Sequence, residues 1–111
     1  MKKLKYIVDI DETICTTPDS RDYNESQPIP HRIKTINDLY DAGHTIKYWT
    51  ARGAVTGIDW YDITHAQLLK WGCRFHSLEV KKPDYDVWID DKAFNASVLD
   101  ANKKGDGRWP M

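Results

Sequence analysis

The stretch Leu4-Lys5-Tyr6-Ile7-Val8-Asp9-Ile10-Asp11-Glu12-Thr13 decides the fold. It is β-prone and turns apolar toward Val8, so residues 3–9 read as a central strand finishing at Asp9. Two acids spaced two apart then follow at the strand's carboxyl end, where open parallel α/β sheets bind their ligands. Aspartates at that spacing can point to the same side. Downstream, residues 14–29 are rich in Thr, Asp, Ser, Asn and Pro and read as a long loop or small flap with at most a short hairpin. A loop of that length points to function, and Arg21, Tyr23 and Asn24 are placed in it to touch a substrate.

Pro30 suits a first helical position, Ile33, Ile36 and Tyr40 recur at helical spacing, and Gly43 follows the last turn. A crossover helix is expected there. The run His44 to Thr50 is then a second strand, completing a βαβ unit whose parallel connection is right-handed. After a loop from Ala51 to Ile58, Asp59 N-caps a second helix that carries Trp60, Ile63, Leu68 and Trp71 inward and closes at Gly72. Cys73 to Ser77 reads as a third strand and Tyr85 to Ile89 as a fourth ending in Asp90-Asp91, with a short helix over 92–99. The expected organisation is one domain over residues 1–101 and an irregular tail over 102–111.

Composition narrows the function classes. The chain has 111 residues, 16 Lys and Arg against 17 Asp and Glu, and a formal net charge of -1, which gives no global electrostatic footprint for nucleic acid or anionic lipid. No apolar run approaches the roughly 20 residues of a bilayer span. The basic start is not followed by a signal-peptide apolar region, so a soluble cytoplasmic protein with no membrane partner is expected. Cys15 and Cys73 lack ligand spacing and are read as reduced and structural, and the four histidines share no ligand spacing. Trp49, Trp60 and Trp71 are read as core residues.

The polar residues that the strand order brings to one edge are Asp9, Asp11 and Thr13, then Thr50, then Lys81 and Lys82, then Asp90 and Asp91. Converging carboxylates repel unless a cation sits among them, and hard oxygen ligands select Mg²⁺. A carboxylate nucleophile, a second carboxyl for proton transfer, a hydroxyl, a lysine and a divalent cation together suit phosphoryl transfer to an aspartate.

On these residues the chain resembles the haloacid dehalogenase superfamily of phosphatases. The matching motifs are Asp9-Ile10-Asp11-Glu12-Thr13, Thr50 within Tyr48-Trp49-Thr50-Ala51-Arg52-Gly53, Lys82-Pro83, and Val87-Trp88-Ile89-Asp90-Asp91, in the family's order. The resemblance implies an α/β fold, a Rossmann-like three-layer sandwich around a central parallel sheet. It implies Asp9 as nucleophile, Asp11 as general acid/base, and Thr50 with the neighbouring Ala51 and Arg52 as phosphate or substrate binders. Lys82 would be the charge neutraliser. Mg²⁺ would be held by Asp9, the Asp11 backbone carbonyl and a fourth-motif acid, Asp91 as the direct ligand and Asp90 as the alternative. Glu12 stands where many relatives have glycine. The intervals between motifs leave no room for a cap domain, which suits a bulky phosphate ester or a site closed by a second subunit in a homo-oligomer.

The second-motif region, with Thr56-Gly57-Ile58-Asp59-Trp60 and Gln67-Leu68-Leu69-Lys70-Trp71-Gly72, is similar to small phosphatase-like proteins of capsule and polysaccharide biosynthesis, which implies a sugar phosphate substrate. It also resembles the phosphatase domain of polynucleotide kinase-phosphatases, so a polynucleotide 3′-phosphatase or a nucleotidase is the alternative. A receiver domain, which also gathers acids, a hydroxyl and a lysine at a sheet edge, would place its phosphorylated aspartate after a later strand, where this chain has Thr50. A non-catalytic phosphate-binding module is the remaining reading.

Overall fold

A computed structural model describes residues 2–103. Three parallel strands, β1 (Lys5–Val8), β2 (Thr45–Trp49) and β3 (Ser77–Glu79), form a sheet in the order β1-β2-β3. The register pairs Val8 with Tyr48 and Tyr48 with Leu78, so the three carboxyl ends lie together at one edge. The helices are α1 (Pro30–Asp41) and α2 (Tyr61–Lys70), with a 3₁₀ turn at Tyr23–Glu25 and a 3₁₀ helix at Ala96–Asn102. This is an α/β fold around a parallel sheet, as the βαβ reading of the sequence expects.

β2 is central because its apolar positions are the most completely enclosed, Ile46 and Tyr48 both being fully buried. Ile33, Ile36 and Leu39 of α1 and Leu68 of α2 pack with them, and Ile10, Ile14 and Cys15 join the same core just beyond β1. A helical stripe of that kind is what the 3.6-residue spacing in α1 encodes. Pro30 opens α1, where the missing N–H costs nothing.

Two expected boundaries shift for local reasons. Helix α2 runs from Tyr61 with Trp60, not Asp59, as its N-cap residue; Asp59, one position earlier, accepts from the Tyr61 N–H at 2.9 Å in a turn that leads into the helix. At its other end Gly72 takes a left-handed φ of 75° and the Cys73 N–H returns to the Leu68 carbonyl. The Arg74 N–H then donates to Asn37 Oδ1 of α1 at 2.8 Å, and His76 Nδ1 accepts from the Ile46 N–H at 3.1 Å. Those contacts consume the backbone partners that strand pairing over 73–76 needs, so β3 begins at Ser77 rather than Cys73.

The fourth strand expected over Tyr85–Ile89 is not formed. The segment is irregular and outward-facing, with Val87, Ile89 and Phe94 strongly exposed. Local bonds replace a ladder: the Trp88 indole N–H and the Lys92 N–H both donate to the Asp90 carboxylate, at 3.2 and 2.7 Å. Asx turns of this kind compete directly with sheet pairing. Downstream, the helix expected over 92–99 is instead the 3₁₀ helix capped by Asn95, whose side chain accepts from the Ser97 N–H at 2.9 Å.

That 3₁₀ helix includes Asn102, which the sequence assigns to the tail, and ends at the cap residue Lys103; residues 104–111 of the tail lie outside the described residues. It docks on α1 through buried Leu99 and through Asp100, which accepts from Arg32 at 2.9 and 3.0 Å and meets His31 at 2.7 Å. Arg32 and His31 hold the Asp100 carboxyl far below the usual carboxylate range. The remaining amine of Arg32 reaches the Glu12 and Thr13 carbonyls and so ties the C-terminal segment to the turn after β1.

The flap over 14–29 is a short hairpin-like fold-back, with Cys15 bridged to Pro28 and the Thr16 N–H on the Gln27 carbonyl. Cys15 and Cys73 are both buried free thiols, and burial pushes them up to about 12 and about 11. Both should therefore resist alkylation by iodoacetamide at pH 8 while the protein is folded and react within minutes in denaturant. Mass spectrometry of the timed reaction reads this out, and rapid labelling of the native protein would contradict the burial. No helix among the described residues is long and apolar enough to cross a membrane.

Candidate active site

The loop that leaves β1 is wound tightly enough to bring its acids round to the sheet edge. Thr13 and Ile14 donate to the Ile10 carbonyl and the Glu12 N–H to the Cys15 carbonyl, which puts Glu12 at a left-handed φ of 63°. Glutamate bears a modest strain there that glycine would not. Its side chain offsets some of it by accepting from the Thr17 N–H at 3.1 Å.

Asp9 and Asp11 both face a cavity of about 690 Å³ at the carboxyl edge of the sheet. Lys82, arriving from the loop after β3, places its Nζ 3.4 Å from Asp9 Oδ1, and Thr13 Oγ1 donates to Oδ2 at 3.3 Å. The lysine is placed by its own backbone N–H, which donates to the Thr50 carbonyl at 3.0 Å. Burial pushes the Asp9 carboxyl above the ordinary value of 3.8, opposed by the Lys82 charge and the Ile10 N–H and reinforced by Asp11.

From the loop after β2, Ala51, Arg52 and Gly53 also line the cavity. Thr50 sits immediately behind it, fully buried, its hydroxyl accepting from the Arg52 N–H at 3.1 Å. The Arg52 side chain is fully enclosed and forks onto Asp11, Nε to Oδ2 at 3.0 Å and Nη2 to Oδ1 at 2.9 Å. The structure thus brings together Asp9, Asp11, Ala51, Arg52 and Lys82, with Thr50 as their backing.

Asp90 and Asp91 are not among them. They stand in the exposed segment after residue 85, outside the cavity lining, and Asp90 is committed to its own turn. The expected Mg²⁺ set of Asp9, Asp11 and a fourth-motif acid is therefore not assembled. Among the described residues no three His, Cys, Asp or Glu side chains are grouped to hold a metal ion. Of the three acids that line the cavity, Asp9 faces Lys82, Asp11 is held by Arg52 through both oxygens, and Asp84 completes no ligand cluster with them.

Other wall residues come from the flap, from the start of α2 and from the segment after β3. Arg21 and Tyr23 of the flap line the cavity, as their placement suggested, whereas Asn24 does not, and Tyr85 also forms part of the wall. Trp60, expected in the core, instead lines the cavity and meets the Tyr23 ring edge-on at 5.0 Å. The Lys82 amine lies 5.3 Å from the Tyr85 ring and 5.6 Å from that of Trp88.

The fold has a solved counterpart. A crystal structure from Vibrio cholerae, described as an MCSG target, is similar with a TM-score of 0.78 and 27% identity, covering 88% of this chain and 87% of that one. The likeness extends over most of both chains, so the α/β fold is common to the two. No protein-family model matches the chain, and no curated protein does.

Proposed function

We propose that the protein is a phosphomonoester hydrolase of the haloacid dehalogenase type, capless and built on that family's three-layer sandwich, working through a phosphorylated Asp9. The observation that carries this is the pairing of Asp9 with Lys82 inside a cavity that also holds Asp11. A half-exposed carboxylate with a lysine beside it offers a nucleophile to phosphorus while the amine cancels the repulsion between two anions.

In the first step an Asp9 oxygen bonds to phosphorus as the ester P–O bond breaks, and Asp11, in the protonated form that the second step regenerates, supplies its proton to the departing oxygen. In the second, water attacks the phosphorus of the acyl phosphate, Asp11 takes the water's proton, and inorganic phosphate leaves with Asp9 restored. The Mg²⁺ requirement that the family resemblance implies would need Asp90 or Asp91 at this edge, so metal dependence is measured separately.

A small sugar phosphate is the substrate class that the cavity supports best. Trp60 and Tyr85 offer ring surface for a sugar, and 690 Å³ is ample for one. The charged residues of the lining are Arg21, Arg52 and Lys82 against Asp9, Asp11 and Asp84, a balance that provides no basic track for a polynucleotide backbone.

The test is phosphate release from para-nitrophenyl phosphate, a panel of sugar phosphates and a 3′-phosphorylated oligonucleotide, each in EDTA and in added Mg²⁺. Turnover of sugar phosphates above the oligonucleotide is expected. Preference for the oligonucleotide would establish the nucleic-acid reading, and phosphate binding or stable phosphorylation without turnover would establish a non-catalytic module.

The pH profile gives a sharper check. Because burial raises Asp9 and Lys82 lowers it, the acid limb of kcat/KM should lie above pH 3.8, and Lys82→Met should move that limb to still higher pH. The same substitution should lower kcat by about 10²-fold or more through loss of charge neutralisation. A limb that stays in place would show that Lys82 does not act on Asp9.

A further inference from the structure

Arg52 is the most heavily bonded side chain at the site, and nothing in the proposed chemistry uses it. Its guanidinium is fully buried. Nε and Nη2 fork onto the two oxygens of Asp11; Nη1 donates to Thr64 Oγ1 at 3.0 Å and Gln67 Oε1 at 2.6 Å; Nη2 also meets Ser26 Oγ at 3.5 Å and Cys15 Sγ at 3.7 Å. The Tyr23 ring covers its face, with Cζ 4.5 Å from the centroid.

A guanidinium has five N–H donors, and here every one has a protein acceptor. An incoming phosphate could engage it only by displacing Asp11 or stripping a buried hydroxyl or amide of its partner, each of which leaves a polar group unpaired. The geometry is that of a bracket whose far side is anchored to α2 and the flap and whose near side holds one carboxylate in a fixed plane.

We propose that Arg52 is a positioning residue for proton transfer: it fixes the plane and direction of the Asp11 carboxylate against the reacting oxygen and makes no bond to substrate. The inference rests on the hydrolase reading above and adds to it a residue that acts only through Asp11. Lysine cannot replace it, because a single ammonium cannot fork onto both oxygens while also reaching Thr64 and Gln67. The same network explains Gln67, whose amide donates to the Tyr23 carbonyl while its oxygen accepts from Arg52, so that the flap wall and the acid share one support.

The experiment measures kcat and KM on para-nitrophenyl phosphate for the natural protein, Asp9→Asn, Arg52→Lys, Asp11→Asn and the double variant Asp11→Asn/Arg52→Lys, with folding checked by circular dichroism. Arg52→Lys is expected to lower kcat by about 10²-fold, a loss typical of misplacing a catalytic group, with KM within about threefold of the natural value. In the Asp11→Asn background the same change should cost nothing further, because the group it positions is already gone. Should Arg52→Lys fail to fold, Gln67→Met, which frees one anchor of the bracket from outside the cavity, carries the test with an expected kcat loss of several-fold at unchanged KM.

A raised KM with kcat preserved would make Arg52 a substrate ligand and overturn the proposal. An equal loss of kcat in both backgrounds would overturn it too, as would unchanged kinetics in a folded variant. Absence of turnover by the natural protein removes the hydrolase reading and this inference with it. Turnover that Asp9→Asn abolishes and Arg52→Lys leaves untouched removes the inference alone.

Discussion

Replacing Asp9 by asparagine is expected to lower phosphate release at least about 10³-fold while leaving the protein folded and at neutral pH no less stable. The two side chains are nearly isosteric, so Lys82 keeps a carbonyl oxygen to face while the Thr13 hydroxyl can turn to accept from the new amide N–H, yet an amide does not attack phosphorus and forms no acyl phosphate. The stability half of the expectation follows from the direction of the Asp9 shift. Burial raises its carboxyl above 3.8 more strongly than Lys82 and the Ile10 N–H lower it, so the folded chain holds that proton to higher pH than the unfolded chain does. Stability from this group therefore declines as pH rises from 3.8 through the raised value, and at neutral pH the ionised carboxylate is a net cost. Asparagine removes that cost. Thermal unfolding of the two proteins at pH 7 and again near pH 3.5 checks the sign: any advantage of Asp9→Asn should be present at pH 7 and shrink in acid. A variant with native-like turnover would eliminate Asp9 as nucleophile, and one that unfolds at pH 7 would show that the carboxylate charge supports the fold.

A site that costs stability where it acts is a familiar reason for local rules to fail at functional positions. The parts of this molecule that the sequence makes legible are those governed by short-range periodicity. Strands β1 and β2, helix α1 from Pro30, and the end of α2 at Gly72 follow from spacing and capping chemistry, and they suffice to bring Asp9, Asp11 and Arg52 to one edge. What is not legible depends on partners far away in the chain. The start of β3 moved because Asn37 and His76 take up backbone groups that adjacent residues would otherwise pair. Segment 85–89 has the composition of a strand, but Asp90 caps its own turn and the Trp88 ring packs near Trp49 and Tyr85 instead. With that strand absent, Asp90 and Asp91 stay away from the edge at which their motif position had placed them. The role of Arg52 could not be seen either. A buried guanidinium and a substrate-binding one look the same in sequence, and only Thr64 and Gln67 on the facing helix tell them apart.

Gly53→Ala should destabilise the protein strongly. Gly53 has a left-handed φ of 81°, and a Cβ built there would lie 2.0 Å from the Ile58 carbonyl oxygen. The obstacle is backbone, which cannot step aside as a flexible side-chain end could. The Gly57 N–H returns to the Gly53 carbonyl at 2.9 Å, so the loop is folded tightly on itself and the clash cannot be relieved by local splaying without breaking that bond. Left-handed strain and displaced backbone together should cost about 3 kcal/mol. For a chain of this size that corresponds to a fall in thermal midpoint of roughly 12 to 24 °C. The change also reaches the chemistry, because Ala51, Arg52 and Gly53 line the cavity in succession and any shift of residue 53 pulls on the residue that brackets Asp11. Measured at a temperature where the variant is still fully folded, kcat should remain depressed, which separates loop displacement from simple unfolding. A midpoint within about 2 °C of the natural protein would mean that the loop accommodates a side chain at residue 53. The tight turn would then have no part in holding Arg52 against Asp11.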